Sequence, residues 1–251
     1  MNSIILELSA LEDKIIDNTG MYSFEIYKKL SEMLEIEKKE DLRVSNIFGE
    51  FFNETIKLEK EKKYRIRVIA KSQKIFSNLQ KKLFEIAVNK EKIEIGEGFF
   101  RLSGIITKNE TWCGEYDLKK EWDNLSPEIN NFYEKIKMKI VNPIIMNRKS
   151  ILGFDKILEI ILKDVENEVE FETGKIKESI LNSVIVKKEY YREKRVNLLN
   201  NEIKKVYLGD IEVVLQGYYG KILLTFLQYV KYTGVGELKE YGFGEIIITK
   251  E

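Results

Sequence analysis

Four glycines close to the C-terminal end, Gly234, Gly236, Gly242 and Gly244, form two Gly-x-Gly pairs with five residues between them. Glycine allows positive φ and close approach of another backbone. A loop with paired glycines can therefore turn its N–H groups toward a phosphate. Lys231 and Lys239 lie beside these glycines and add positive charge. The loop runs from a helix-like stretch, Lys221 to Tyr232, into a strand-like stretch, Glu245 to Thr249. That order excludes the dinucleotide fingerprint, which follows a strand and opens a helix, and the P-loop, which ends in Gly-Lys-Ser/Thr. A tight connection without any ligand is the alternative, since turns are where glycine is expected. A second group of chemistry-bearing residues surrounds Tyr190 and Tyr191: Lys187, Lys188, Arg192, Lys194 and Arg195, opposed by Glu189 and Glu193. Rings plus cations can hold single-stranded RNA by stacking and charge, although a charge run is also what a solvated face looks like. Arg148 and Lys149 follow the segment ending at Pro143 and belong to the same basic set.

The residue types that are missing narrow the chemistry further. The chain has no histidine and one cysteine, Cys113. Ser-His-Asp and Cys-His nucleophiles, His- or Cys-based zinc sites and paired-histidine ribonuclease mechanisms are excluded. Acid–base work must use Tyr, Lys, Asp or Glu, or the reaction must rely on orientation alone. No metal site and no cofactor are expected. Lys plus Arg and Asp plus Glu both number 42, so net charge is formally zero. A nucleic-acid binder usually has a basic excess, so binding would need segregated charge. Acidic residues do gather at Asp164, Glu166, Glu168, Glu170 and Glu172. No apolar run approaches the roughly 18 residues of a membrane span. The start, Met1 to Leu8, reads as a strand and not a signal peptide. The lone cysteine fits a reducing cytoplasm.

The elements that must position these residues follow from periodicity. Residues 2–8 read as a strand, Met21 to Leu34 as a helix, Leu42 to Phe52 as mostly strand and Tyr64 to Ala70 as a strand. Ile75 to Val88 reads as an amphipathic helix, and Lys92 to Ile95 and Phe99 to Thr107 as strands joined through Gly96 and Gly98. This is β-α-β-β-α-β with an extra strand, the ferredoxin-like order. Trp112 to Pro127 reads as a connection. The order then repeats: strand Phe132 to Pro143, helix Phe154 to Lys163, strands Val184 to Tyr191 and Tyr207 to Gln216 around a polar excursion at Asn197 to Lys204, helix Lys221 to Tyr232 and the final strand. Residues 173–183 have a helical tendency. The fold class expected is α+β, with tandem ferredoxin-like domains over 1–125 and 126–251 and a glycine-rich loop at 233–244.

The glycine pairs, Gly234-Val-Gly236 and Gly242-Phe-Gly244, resemble the C-terminal loop of the RAMP superfamily, and within it the CRISPR-associated endoribonucleases that process precursor crRNA. Tyr207 to Gln216 resembles that family's strand before the last helix. Arg43 to Gly49 resembles its Phe-Thr-x-Ser strand, and Ile136 to Ile145 the strand that opens its second domain. The order matches across nearly the whole chain. The resemblance implies tandem ferredoxin-like domains and metal-independent cleavage, in which a 2′-hydroxyl attacks its own phosphate and leaves a 2′,3′-cyclic phosphate and a 5′-hydroxyl. It implies Tyr27, in Phe24-Glu-Ile-Tyr27, as base or orienting hydroxyl, and Lys38 or Lys39 as the group that stabilises the phosphorane. The family's usual histidine falls near Leu34 or Glu35. Its absence leaves two readings open: a slow nuclease, or a RAMP protein that holds crRNA without cutting. The implied partners are CRISPR repeat RNA and precursor crRNA, other Cas effector subunits and a second copy of the chain. Zero net charge keeps a third reading, a ferredoxin-like protein unrelated to RNA.

Overall fold

A computed structural model of the chain describes residues 1–18, 21–108, 111–127, 131–146, 152–198 and 202–250. The chain divides into two units. The first is Met1–Glu115 with Arg195–Lys204 and Glu240–Gly242; the second is Tyr116–Lys194, Lys205–Lys239 and Phe243–Glu251. No helix among the described residues is long and apolar enough to cross a membrane.

The first unit contains strands β1 (Asn2–Ala10), β2 (Lys14–Asp17), β3 (Leu42–Val44), β4 (Thr55–Leu58), β5 (Lys63–Ala70), β6 (Lys92–Ile95), β7 (Gly98–Ile106) and β8 (Gly114–Glu115), with helices α1 (Ser23–Leu34) and α2 (Gln73–Asn89). The main sheet has the order β3-β5-β1-β7-β6, and β8 pairs with β1. β1 runs antiparallel to both β5 and β7. It holds the centre because Ile4, Leu6, Leu8 and Ala10 alternate toward the helices and are buried; each large apolar side chain so buried contributes about 1.5–3 kcal/mol. In α1, the buried Ser23, Ile26, Tyr27, Leu30 and Leu34 recur at helical spacing. The helix ends where Glu35 turns left-handed at φ 54°. Ser72 caps α2, its hydroxyl accepting from the Ile75 N–H at 3.3 Å.

The expected strand Leu42 to Phe52 is corrected: β3 ends at Val44. Beyond it, Asn46 accepts the Ile47 N–H on its own side chain at 2.9 Å, and the Glu50 N–H bonds the Ile47 carbonyl. Such local side-chain bonds give the backbone an alternative to the ladder. The small β2–β4 sheet was not expected from the sequence. Its strands are four residues each, too short to show a period.

In the second unit, α3 (Leu118–Asp123) lies inside the stretch expected to be only a connection, capped by Asp117. Then follow β9 (Tyr133–Ile145), α4 (Phe154–Val165), α5 (Thr173–Asn182), β10 (Val184–Asn197), β11 (Ile203–Gln216), α6 (Gly217–Thr233) and β12 (Ile246–Lys250). The sheet order is β10-β11-β9-β12. Numbered within each unit, both four-strand cores run second, third, first, fourth, so the topology repeats as well as the element order. The core is built from Ile136, Met138 and Ile140 of β9, Ile211 and Val213 of β11 and Leu223 and Phe226 of α6, all buried. The Trp122, Phe171 and Phe226 rings form a three-way aromatic cluster, with centroids 5.6 to 5.8 Å apart.

Candidate functional site

The parts of the glycine-rich loop that belong to the second unit, up to Lys239 and from Phe243, are held by backbone hydrogen bonds. The Gly234 N–H donates to the Val230 carbonyl at 2.7 Å and closes α6; the Val235 N–H donates to the Gly244 carbonyl at 2.9 Å; the Gly244 N–H donates to the Pro143 carbonyl at 2.8 Å. At Gly244, with φ +65°, a Cβ would sit 1.8 Å from the Val235 carbonyl oxygen. Only glycine fits so close an approach. Gly236 lies against the Ile145 carbonyl in the same way. The expectation that the loop's amides are phosphate donors is therefore corrected for Gly234 and Gly244, whose N–H groups are committed inside the protein. Gly236 and Gly244 let the two arms of the loop pack on each other and on the end of β9.

Lys239 reaches back to α4, where its ammonium lies 2.7 Å from the Asp164 carboxylate, each side chain about one quarter exposed (27% and 24%). Burial pushes the Asp164 carboxyl above its ordinary range even against the pull of Lys239. The charge of Lys239 thus serves the loop's attachment first. Lys231, in the last turn of α6, lies 6.0 Å from the centre of the Tyr232 ring.

The basic residues expected between 187 and 192 all fall on β10, an edge strand of its sheet and exposed along most of its length. Period-two alternation divides them. Glu189 accepts the Phe154 N–H at the start of α4 at 3.1 Å and the Tyr191 hydroxyl at 3.2 Å. Tyr191 also lies over Gly209, which pairs with the buried Ile140. Glu189 and Tyr191 therefore face the helices, and burial pushes the Tyr191 phenol up. Lys188, Tyr190 and Arg192 share the opposite, open face; Lys187 does not join them. Register adds residues that the run of charge between 187 and 195 does not include. Lys139 pairs with Asp210 and Lys137 with Glu212, while Met138 and Ile140 point to the core. Lys135, Lys137 and Lys139 thus line the same open face, with Lys137 3.6 Å from Glu212. The signal was present as Lys-x-Lys-x-Lys in a strand that alternates with Ile136 and Met138. Arg148 and Lys149 lie outside the described residues.

In the first unit, Tyr27 sits on the buried face of α1. Its hydroxyl donates to the Lys39 carbonyl at 3.3 Å. Burial pushes the phenol up, with Tyr241 and Glu240 adding to the shift and the nearby Ser31 hydroxyl and Lys39 opposing it. A phenol raised above its ordinary value of about 10 keeps its proton at neutral pH. Of the two roles expected for Tyr27, the geometry favours the orienting hydroxyl over the base. Lys39 opens a short 3-10 turn beside it, and Lys38 precedes that turn in extended conformation; both side chains are exposed. The structure brings Lys39 to Tyr27, whereas no described contact joins Lys38 to it. Tyr241 completes the group, stacked on Phe24 with centroids 3.9 Å apart and edge-on to Tyr27 at 5.0 Å. Among the described residues, no three Cys, Asp or Glu side chains gather as a metal set.

With this geometry in hand, comparison with solved structures decides the fold. A Cas6 protein (TTHB231) in its product complex superposes with a TM-score of 0.69 at 15% identity, covering 99% of each chain. The chain has the fold of Cas6. A second Cas6 product complex (TTHA0078) gives 0.67 at 15% identity, over 99% of this chain and 100% of that one. A RAMP protein described as binding different RNA substrates gives 0.61 at 12% identity, over 99% and 100%. The tandem ferredoxin-like architecture expected from the element order is the architecture observed. No protein-family model matches the sequence, and no curated protein matches it.

Proposed function

We propose that this chain is a Cas6-type RAMP protein that binds CRISPR repeat RNA and cleaves precursor crRNA without a metal. The observation that carries the reading is the end-to-end likeness to Cas6 product complexes, 99% of both chains in the first case. The Tyr27–Lys39 group and the open basic face of the second sheet supply, respectively, groups for cutting and for holding.

In the proposed step, the 2′-oxygen forms a bond to the adjacent phosphorus as the bond to the 5′-oxygen breaks. The 2′ proton passes to solvent, and the leaving 5′-oxygen gains one. The products are a 2′,3′-cyclic phosphate and a 5′-hydroxyl. Tyr27, its proton donated to the Lys39 carbonyl, accepts a hydrogen bond from the 2′-hydroxyl on its phenol oxygen and so orients the attacking sugar. Lys39, with Lys38, balances the charge of the phosphorane. No residue here is a good base at neutral pH, so in-line orientation carries much of the acceleration and turnover is slow. Lys188, Tyr190, Arg192, Lys135 and Lys139 hold the RNA by charge and stacking, joined by Lys231, Arg148 and Lys149, while Lys187 lies on the other face of β10 and takes no part. Gly236 and Gly242 serve by shaping the loop.

A second reading, a RAMP subunit that holds crRNA without cutting, is favoured by the absence of histidine together with the buried phenol of Tyr27. End-group analysis of repeat RNA incubated with the protein separates the two. A cyclic phosphate at one site supports cleavage as described. A 3′-hydroxyl product contradicts the chemistry, and tight binding with intact RNA selects the second reading. Association with other Cas subunits, a homodimer and a cytoplasmic location belong to the same proposal.

A further inference from the structure

The group around Tyr27 contains one aromatic residue that the glycine motif delivers and that neither the charge pattern nor the motif singles out. Phe24 and Tyr27 lie three residues apart on α1 and so present neighbouring rings. Tyr241 covers both, face to face with Phe24 and edge-on to Tyr27. The residue after it fixes its place. Gly242 has φ +81°, and a Cβ there would lie 2.7 Å from the Val44 carbonyl oxygen and 2.9 Å from the Ser45 Cα. The backbone at 242 therefore runs directly against the end of β3, closer than any side chain permits. Tyr241 is only 9% exposed.

We propose that Tyr241 is a positioning residue of the cleavage site, its ring seating the Tyr27 side chain so that the phenol hydroxyl stays at the Lys39 turn. This inference rests on the reading of the chain as an endoribonuclease. A Tyr side chain turns about two bonds, and the bond from the Tyr27 hydroxyl to the Lys39 carbonyl, at 3.3 Å, is long. That bond alone holds the ring loosely, whereas a packed aromatic neighbour removes the open side into which the ring would swing. The second Gly-x-Gly pair then has a task unrelated to phosphate: Gly242 lets the chain approach β3 closely enough to lay Tyr241 on α1. Absence of histidine makes this seat matter more, because orientation replaces a proton acceptor.

The test is single-turnover cleavage of repeat RNA by Tyr241→Leu, which keeps apolar volume without a ring, and by Tyr241→Met as a companion should the leucine variant fail to fold. Affinity for a 2′-deoxy repeat RNA and thermal midpoint are measured beside the rate. The cleavage rate is expected to fall about tenfold with RNA affinity within about twofold, and Tyr241→Phe is expected to restore the rate. A purely structural role moves the thermal midpoint without separating rate from affinity. A wild-type rate in the ringless variants overturns the proposal, as does a rate loss matched by an equal loss of affinity. So does failure of the phenylalanine variant to restore cleavage, which would put the role in the Tyr241 hydroxyl. If the wild-type protein leaves the RNA intact, the nuclease reading itself is what fails.

Discussion

Tyr27 is buried on a helix face, whereas the proposed function asks it to meet a substrate. Burial holds its proton, which suits a donor and unsuits a base. Tyr27→Phe combined with Lys38→Ala and Lys39→Ala should reduce cleavage about tenfold or more, with affinity for 2′-deoxy repeat RNA retained; an unchanged rate removes this group from the mechanism. The residue-level expectations that the sequence supported were those tied to motifs, Tyr27 and the glycines. Tyr241 escaped because its role depends on a loop crossing back to α1, a pairing of residues more than two hundred positions apart that no local period records. Gly234 and Gly244 were legible as glycines, but whether their amides faced outward or inward was set by the Val230 and Pro143 carbonyls, which only the folded chain brings to them.

At the scale of elements, the glycine loop behaves as a packed joint. Gly244→Ala forces a Cβ into the Val235 carbonyl, and a loss of about 2–4 kcal/mol in a denaturant melt is expected; an unchanged midpoint contradicts the packing account. The Lys239–Asp164 pair ties the same loop to α4 and gives a pH signature. The folded-state pKa of Asp164 lies above its unfolded value, so its contribution to stability is fully present below the unfolded carboxylate range and is lost as pH rises through the folded pKa. The stability of the wild type relative to Asp164→Asn should therefore decrease from acid toward neutral pH, and an increase contradicts the burial argument. The helices and long strands were legible because their apolar periods extend over ten residues or so. Others were not. β2 and β4 are too short, β3 is cut off by Asn46, and the open basic face depends on the pairing of Lys139 with Asp210 and Lys137 with Glu212.

For the whole molecule, a formal charge of zero gives no net attraction for RNA, so the proposed binding rests on local contacts such as the open face of the second sheet. Replacing Lys135, Lys139, Lys188 and Arg192 by Ala should weaken repeat RNA binding and reduce the log–log salt slope by about 0.7 for each phosphate no longer neutralised; a slope that does not move places the RNA elsewhere. The measurement that bears most directly on the account as a whole is incubation of the protein with its own genome's CRISPR repeat RNA in EDTA, beside the same RNA carrying a 2′-deoxy nucleotide at the cleavage position. One cut in the first RNA and none in the second is the predicted result. Cleavage that EDTA abolishes, or that the 2′-deoxy nucleotide does not block, contradicts it.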